Sequence, residues 1–242
     1  MRLLLILVGI WLVVLGCAYA LAGDSATFAP IGYSPDRRYF AYEEFSIGDE
    51  GTPPHATIGI VDLTTGSPVS GSPWTATGSE EVADTLTTLR LEVTTLAAEA
   101  LTKSGIEDPA HFLALIGDGV RDNGDTLTFA LPQGADPDAL GPDMTLDVVP
   151  LPSFREDRCT PDFGGGSFDF ALVLSSEETN RRLRHNAVVD ADDCIRRYRI
   201  YGVLQPYNGG DVSSLVAVVS VYTVGFEGYD RRFLVFPFGP NP

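Results

Sequence analysis

Leu215-Val-Ala-Val-Val-Ser-Val-Tyr-Thr-Val224 is apolar at almost every position. A strand with one face in water alternates apolar and polar side chains, and this stretch does not. Both of its faces must therefore be covered, which predicts a central, fully buried strand.

Around it the chain is dominated by strand patterns. Phe168, Phe170, Leu172 and Leu174 alternate with smaller or polar residues, and Arg232 to Phe238 reads as a closing strand. Leu183 to Val189 and Ile195 to Leu204 flank Asp190-Ala-Asp-Asp193, a pattern that predicts an antiparallel hairpin with an acidic tip. Upstream, Tyr39 to Phe45 is rich in aromatic residues behind the turn starter Ser34-Pro-Asp36, and Thr57 to Leu63 follows as a strand. Thr126 to Leu131 is another, whereas residues 132–166 are crowded with proline and glycine and read as irregular connection.

One long helix stands out, over about 79–104. Val82, Leu86, Leu89, Val93, Leu96, Ala97, Ala100 and Leu101 recur at intervals of three and four, with Ser79, or Thr77 with Glu80, as caps. Its polar face lacks the lysines and arginines of a membrane-surface helix, so it is expected to pack on a sheet. Asp108-Pro109 predicts a second, short helix through Ile116. The fold class that follows is α+β and β-rich: mostly antiparallel strands with one amphipathic helix on the sheet. Residues 23–242 form a single domain in this reading, with strands over 28–76, a helical segment over 79–116 and a strand-rich part over 126–238.

Residues 1–22 read as a signal peptide. Met1-Arg2 is followed by an apolar run from Leu3 to Leu15, and Ala20-Leu-Ala22 fits a small-x-small cleavage site. The run is short of the roughly 20 residues that span a bilayer, so no transmembrane segment is expected in the processed chain. A second processing route fits the same segment. Val14-Leu-Gly-Cys17 resembles a bacterial lipobox, in which Cys17 would carry lipid. Either route places the folded part outside the cytoplasm, in the periplasm or beyond.

Beyond the leader only Cys159 and Cys194 remain, and in an oxidising compartment two cysteines most simply form a disulfide. Neither has the closely spaced companions of a zinc site. Sixteen basic residues against 33 acidic ones give a net charge of −17, which argues against nucleic acid as a partner.

Arginine is distributed unevenly. Arg181, Arg182, Arg184, Arg196, Arg197 and Arg199 fall within residues 181–199. If the two strands pair, Arg182, Arg184, Arg197 and Arg199 make a cationic strip, which either clamps a carboxylate, phosphate or sulfated group or pairs with the protein's own carboxylates. The second is the expected arrangement. Catalytic motifs are missing: there is no H-E-x-x-H, no G-x-S-x-G, no G-x-G-x-x-G and no P-loop. Asp118 to Asp125 superficially resembles a calcium loop, but Val120 and Phe129 occupy ligand positions, so a solvated turn is expected. Asp190, Asp192 and Asp193 read as a solvated tip too. No metal and no cofactor is predicted. Glu43, Glu44, Glu227 and Asp230 supply the carboxylates for an acid/base pair acting on a sugar, if the fold brings them together.

Ile31-Gly-Tyr-Ser-Pro-Asp36, Tyr39-Phe-Ala-Tyr-Glu-Glu-Phe45, the two cysteines, Arg199-Ile-Tyr-Gly202 and Gly225-Phe-Glu-Gly-Tyr-Asp-Arg-Arg-Phe233 together resemble a bacterial family of predicted secreted proteins, domain of unknown function 2259. Tyr229 stands where that pattern has proline. The resemblance implies a secreted, envelope-associated protein and carries over no catalytic residue. The expectation is a non-enzymatic binding or interaction module whose partner is an envelope protein or an anionic ligand. The alternative is a carboxylate-dependent hydrolase of envelope saccharide or peptide.

Overall fold

The computed structural model describes residues 23–239 apart from 49–51, 80–84, 135, 137, 153–167, 178–179, 186–193 and 226–227. Its centre is the apolar stretch from Leu215 to Val224. Strand β12 (Val216–Val224) lies between β11 (Ile195–Pro206) and β13 (Tyr229–Pro237), and β6 (Ala110–Leu115) pairs with the far edge of β11. These four antiparallel strands form sheet II. Ala217, Val219 and Val221 of β12 are fully buried on one face, and Val216 and Val218 on the other. Full burial of each such valine contributes roughly 1.5–3 kcal/mol, which is why two covering layers are needed.

The first cover is sheet III: β7 (Thr126–Phe129), β8 (Met144–Pro152), β9 (Phe168–Ser175) and β10 (Asn180–His185), in the order β10-β9-β8-β7. Its Leu146, Val148, Phe170 and Leu172 share one core with Tyr198, Ile200, Val219 and Phe236 of sheet II. Sheet I covers the opposite face with β1 (Thr27–Tyr33), β2 (Tyr39–Ser46), β3 (His55–Asp62), β4 (Ser67–Pro68) and β5 (Trp74–Thr77). Phe28, Tyr33, Phe40 and Leu63 meet Val216, Val218 and Phe233 there. The outer face of sheet I carries helix α1 (Leu86–Lys103), whose Leu89, Val93 and Ala97 pack on Ala56, Ile58 and Ala76. Among the described residues this makes four layers, one helical and three of antiparallel strands.

The N-terminal segment ties two layers together. Ser25 forms a parallel bridge with Arg231 on the outer edge of β13. The Arg231 N–H donates to Asp24 O at 2.8 Å, and the Ala26 N–H to Arg231 O at 3.3 Å. The chain then enters β1 in sheet I.

Several expectations are corrected. The helix is capped by Thr85, whose hydroxyl accepts the Thr88 N–H at 3.3 Å, not by Thr77 or Ser79; Thr77 ends β5. Its contact line follows the i, i+4 ridge Leu89-Val93-Ala97, so Leu96 falls on the flank and is 50% exposed. Asp108-Pro109 does not open a helix. Asp108 and Tyr33 exchange main-chain hydrogen bonds at 2.7 and 3.0 Å, and residues 110–115 become β6 against β11. Phe112 and Leu113 there serve opposite cores, a period of two that overrides the capping signal. Residues 132–166 contain β8, an inner strand of sheet III, whose Met144, Leu146 and Val148 alternate inward ahead of Pro150 and Pro152.

The hairpin of 181–189 with 195–204 does not form either. Strand β10 pairs with β9 through a short connection, Ser175 opposite Asn180, while β11 is already occupied on both edges. Closing the shorter loop costs less conformational entropy. The acidic tip Asp190–Asp193 lies outside the described residues.

Candidate functional site

Strand β11 opens with Arg196-Arg-Tyr-Arg199, and a bulge shapes this end of it. Ile195 opposes Thr223 and Arg197 opposes Tyr222, so one extra residue is inserted. Ile195 and Tyr198 are buried toward sheet III. Arg197 in turn is exposed, and its neighbours across the strands are Tyr222 and then Arg231. Here the face of sheet II opens to solvent. Arg196, Arg197, Arg199, Tyr222 and Tyr229 line a hollow of about 350 Å³, and Tyr229 is 58% exposed. A second hollow, of about 200 Å³, shares Arg196 and Arg197 and adds Asp125, Val148, Pro150 and Tyr198.

The loop ahead of β7 positions the guanidinium groups. Arg199 Nε donates to Asn123 O at 3.2 Å and its Nη2 to Asp122 O at 3.0 Å. Arg197 Nη2 donates to the same Asn123 carbonyl. Gly124, at φ 73°, turns the loop tightly enough to lie on Arg199; Asp122 Oδ1 accepts its N–H at 2.6 Å. These partners are main-chain carbonyls, whereas carboxylates were expected. Among the described residues no carboxylate pairs with Arg197 or Arg199. A carbonyl fixes a guanidinium without cancelling its charge, and each group has five N–H donors to share. The charge stays on offer to an anion.

Arg231, next along the row, is committed differently. It pairs with Asp118, and its Nε and Nη2 donate to Ala26 O at 3.1 and 2.7 Å. Tyr201 beside it has its phenol pKa raised, first by burial and then by the Asp118 charge.

The four arginines predicted to share a strip are split between two sheets. Arg182 and Arg184 sit on β10 in sheet III, apart from Arg197 and Arg199. Arg182, exposed, lines a separate cleft of about 260 Å³ with Arg181, Thr64, Thr65 and Phe238. Arg181 donates there to Phe238 O, and burial lowers its pKa. Tyr222 and Tyr229 were missed by the sequence reading. The cross-strand register that places them beside the arginines is a property of the sheet.

The candidate acid/base carboxylates have other work. Glu43 and Glu44 point to opposite faces of β2. Glu43 takes a two-pronged ion pair from Arg90 of α1 at 2.8 and 2.7 Å, with the Arg90 guanidinium 4.1 Å from the Phe45 ring centre. Glu44 faces sheet II, where Oε2 accepts the Phe233 N–H at 2.7 Å and Arg232 lies 3.9 Å away. Burial pushes its carboxyl up to about 7. Asp24, fully enclosed, is paired with Arg232 at 2.6 Å and accepts the Ser46 hydroxyl; His55 lies 3.9 Å off, its pKa lowered chiefly by burial. Asp230 Oδ1 accepts the Asp24 N–H at 2.8 Å. Glu227 lies outside the described residues. Asp24 and Glu44, both buried, thus cluster with His55 and the partly exposed Arg232 between sheets I and II, and none of the four lines the three hollows. Among the described residues no three His, Cys, Asp or Glu side chains are grouped to hold a metal ion.

Fold and hollow together define a layered antiparallel β protein with one packed helix and a cationic, tyrosine-walled surface site. Residues 41–238 match the model of domain of unknown function 2259, predicted secreted protein, and the chain belongs to that family. Two of the stretches that carried the resemblance, Tyr39–Phe45 and Gly225–Phe233, meet through Glu44, Arg232 and Phe233 at this cluster. No curated protein and no solved structure gives a significant match. Among the described residues no helix is long and apolar enough to cross a membrane.

Proposed function

We propose that this is an exported envelope protein that binds an anionic ligand in the hollow of Arg196, Arg197, Arg199, Tyr222 and Tyr229, without catalysing a reaction on it. The observation that carries the reading is the way Arg197 and Arg199 are held: neutral carbonyls fix both guanidinium groups at an open hollow of about 350 Å³. Preorganised forks of this kind suit carboxylate, sulfate or phosphate oxygens.

Export in this reading proceeds through residues 1–22, either by cleavage after Ala22 into the periplasm or by lipid attachment at Cys17; the family's description as predicted secreted protein supports it. Residues 23–242 act as one domain, a view supported by sheet II lending each of its faces to a different core. Cys159 pairs with Cys194 in the same proposal. Cys194 is disulfide-bonded, and Cys159 is its only candidate partner beyond the leader. Closing that loop stabilises by roughly 3–4 kcal/mol on the chain-entropy argument.

The test is calorimetric titration of the periplasmic protein with citrate, as a simple polycarboxylate probe. Citrate should bind, and Arg197→Gln with Arg199→Gln should abolish the heat while the melting temperature is kept. Binding unchanged in that double variant would remove the hollow from consideration.

A further inference from the structure

The two hollows that share Arg196 and Arg197 constrain what the ligand is. The first joins cationic forks to the rings of Tyr222 and Tyr229. The second is lined by Arg196 and Arg197 together with Asp125, Val148, Pro150 and Tyr198. An ionised carboxylate only accepts hydrogen bonds, so Asp125 calls for donors and repels a second anion. Its Oδ2 accepts the Asn123 amide at 2.8 Å, which fixes its direction. A ligand filling both hollows must therefore offer an anion to the arginines, hydroxyl donors to Asp125, and flat apolar faces to the tyrosines. A chain of phosphates offers charge at every unit but no hydroxyl donor, and so meets Asp125 unfavourably. A sugar acid offers all three features, with ring C–H faces for the aromatic walls.

We infer that the ligand is a short carboxylated oligosaccharide, a chain of uronic-acid units, lying across both hollows with a carboxylate on the arginines and hydroxyls on Asp125. This rests on the anion-binding reading of the first hollow and narrows it.

The experiment is calorimetry on the protein purified from periplasm, with trigalacturonate, galacturonate, maltotriose, inorganic sulfate and AMP as probes. Trigalacturonate should bind about tenfold more tightly than the monomer, because the second hollow is engaged. Maltotriose, which lacks the carboxylates, should not bind. Tyr229→Ala, at a residue 58% exposed, should weaken trigalacturonate several-fold at unchanged melting temperature. Asp125→Ala should weaken the trimer more than the monomer. A trimer no tighter than the monomer, a trimer tightened by Asp125→Ala, or sulfate or AMP binding more strongly than the trimer would overturn the sugar-acid assignment and leave the anion site standing. If every anion bound the Arg197→Gln, Arg199→Gln protein as well as the parent, the anion site itself would be lost.

Discussion

Glu44 and Phe233 are 189 residues apart in the chain, yet the Phe233 N–H donates to Glu44 Oε2 at 2.7 Å. The bond fastens β2 of sheet I to β13 of sheet II, at the seam where Arg232 also reaches Asp24. A carboxylate that accepts a main-chain N–H would ordinarily be made more acidic. Here burial outweighs that effect and the nearby Arg232 charge, and the Glu44 carboxyl rises to about 7.

The sign of the resulting pH dependence is fixed. A carboxyl raised in the folded state holds a proton that the unfolded chain has released, so stability falls as pH climbs from about 4.5 toward 7 and is flat beyond. The loss is on the order of 3 kcal/mol across that window. His55, with its pKa lowered, acts in the opposite sense, so the comparison has to be made against Glu44→Gln. Urea unfolding of parent and variant at pH 5 and pH 8 should show the parent losing ground to the variant at the higher pH. A constant difference would place the proton elsewhere.

Removing Arg232 should be costly for a different reason. Its loss leaves the Asp24 carboxylate, enclosed on all sides, without its cation. Arg232 is itself 31% exposed, so stranding the enclosed carboxylate costs on the order of 1–3 kcal/mol, below the figure for a pair buried on both sides. Arg232→Met should destabilise by that order, and Asp24→Asn in the same chain should recover much of it. Equal loss in the single and double variants would show that the pair carries little of the seam's stability.

The helix offers a paired test. Leu89 is 2% exposed against sheet I and Leu96 is 50% exposed on the flank. Leu89→Asp should cost several kcal/mol by burying an unpaired charge, whereas Leu96→Asp should stay within about 0.5 kcal/mol. Chemical denaturation of both variants checks this directly. Comparable losses would mean that Leu96 is covered in solution.

The sequence made the central strand legible because two-sided burial leaves a local signature: Leu215 to Val224 carries it in its own composition. The helix was legible too, from the periodicity of Leu89, Val93 and Ala97. Partner choice was not. Whether Arg182 and Arg184 lie beside Arg197 and Arg199 depends on which strand β10 selects, and the short turn from Ser175 to Asn180 decides that in favour of β9. Asp108-Pro109 misled because a cap signal is worth only about 1 kcal/mol, less than a whole strand gains by completing sheet II. For the site, the arginines stood out by their density. Tyr222 was concealed inside the stretch read as core, and its exposure follows from lying at the end of β12 beyond the cover of sheet I.

Gly124 links that geometry to binding. A Cβ built on it would lie 2.6 Å from Arg199 Nε, and its φ of 73° strains any other residue. Gly124→Ala therefore adds a methyl group that pushes the Arg199 side chain off the Asp122 and Asn123 carbonyls. The backbone strain is worth on the order of 1 kcal/mol, so the fold should survive. The guanidinium loses its fixed direction, and preorganisation is what a charged fork contributes to affinity. Citrate should then bind several-fold more weakly to Gly124→Ala than to the parent, with a melting temperature only a few degrees lower. Affinity equal to the parent's at that reduced stability would show that the carbonyl clamp on Arg199 plays no part in holding the anion.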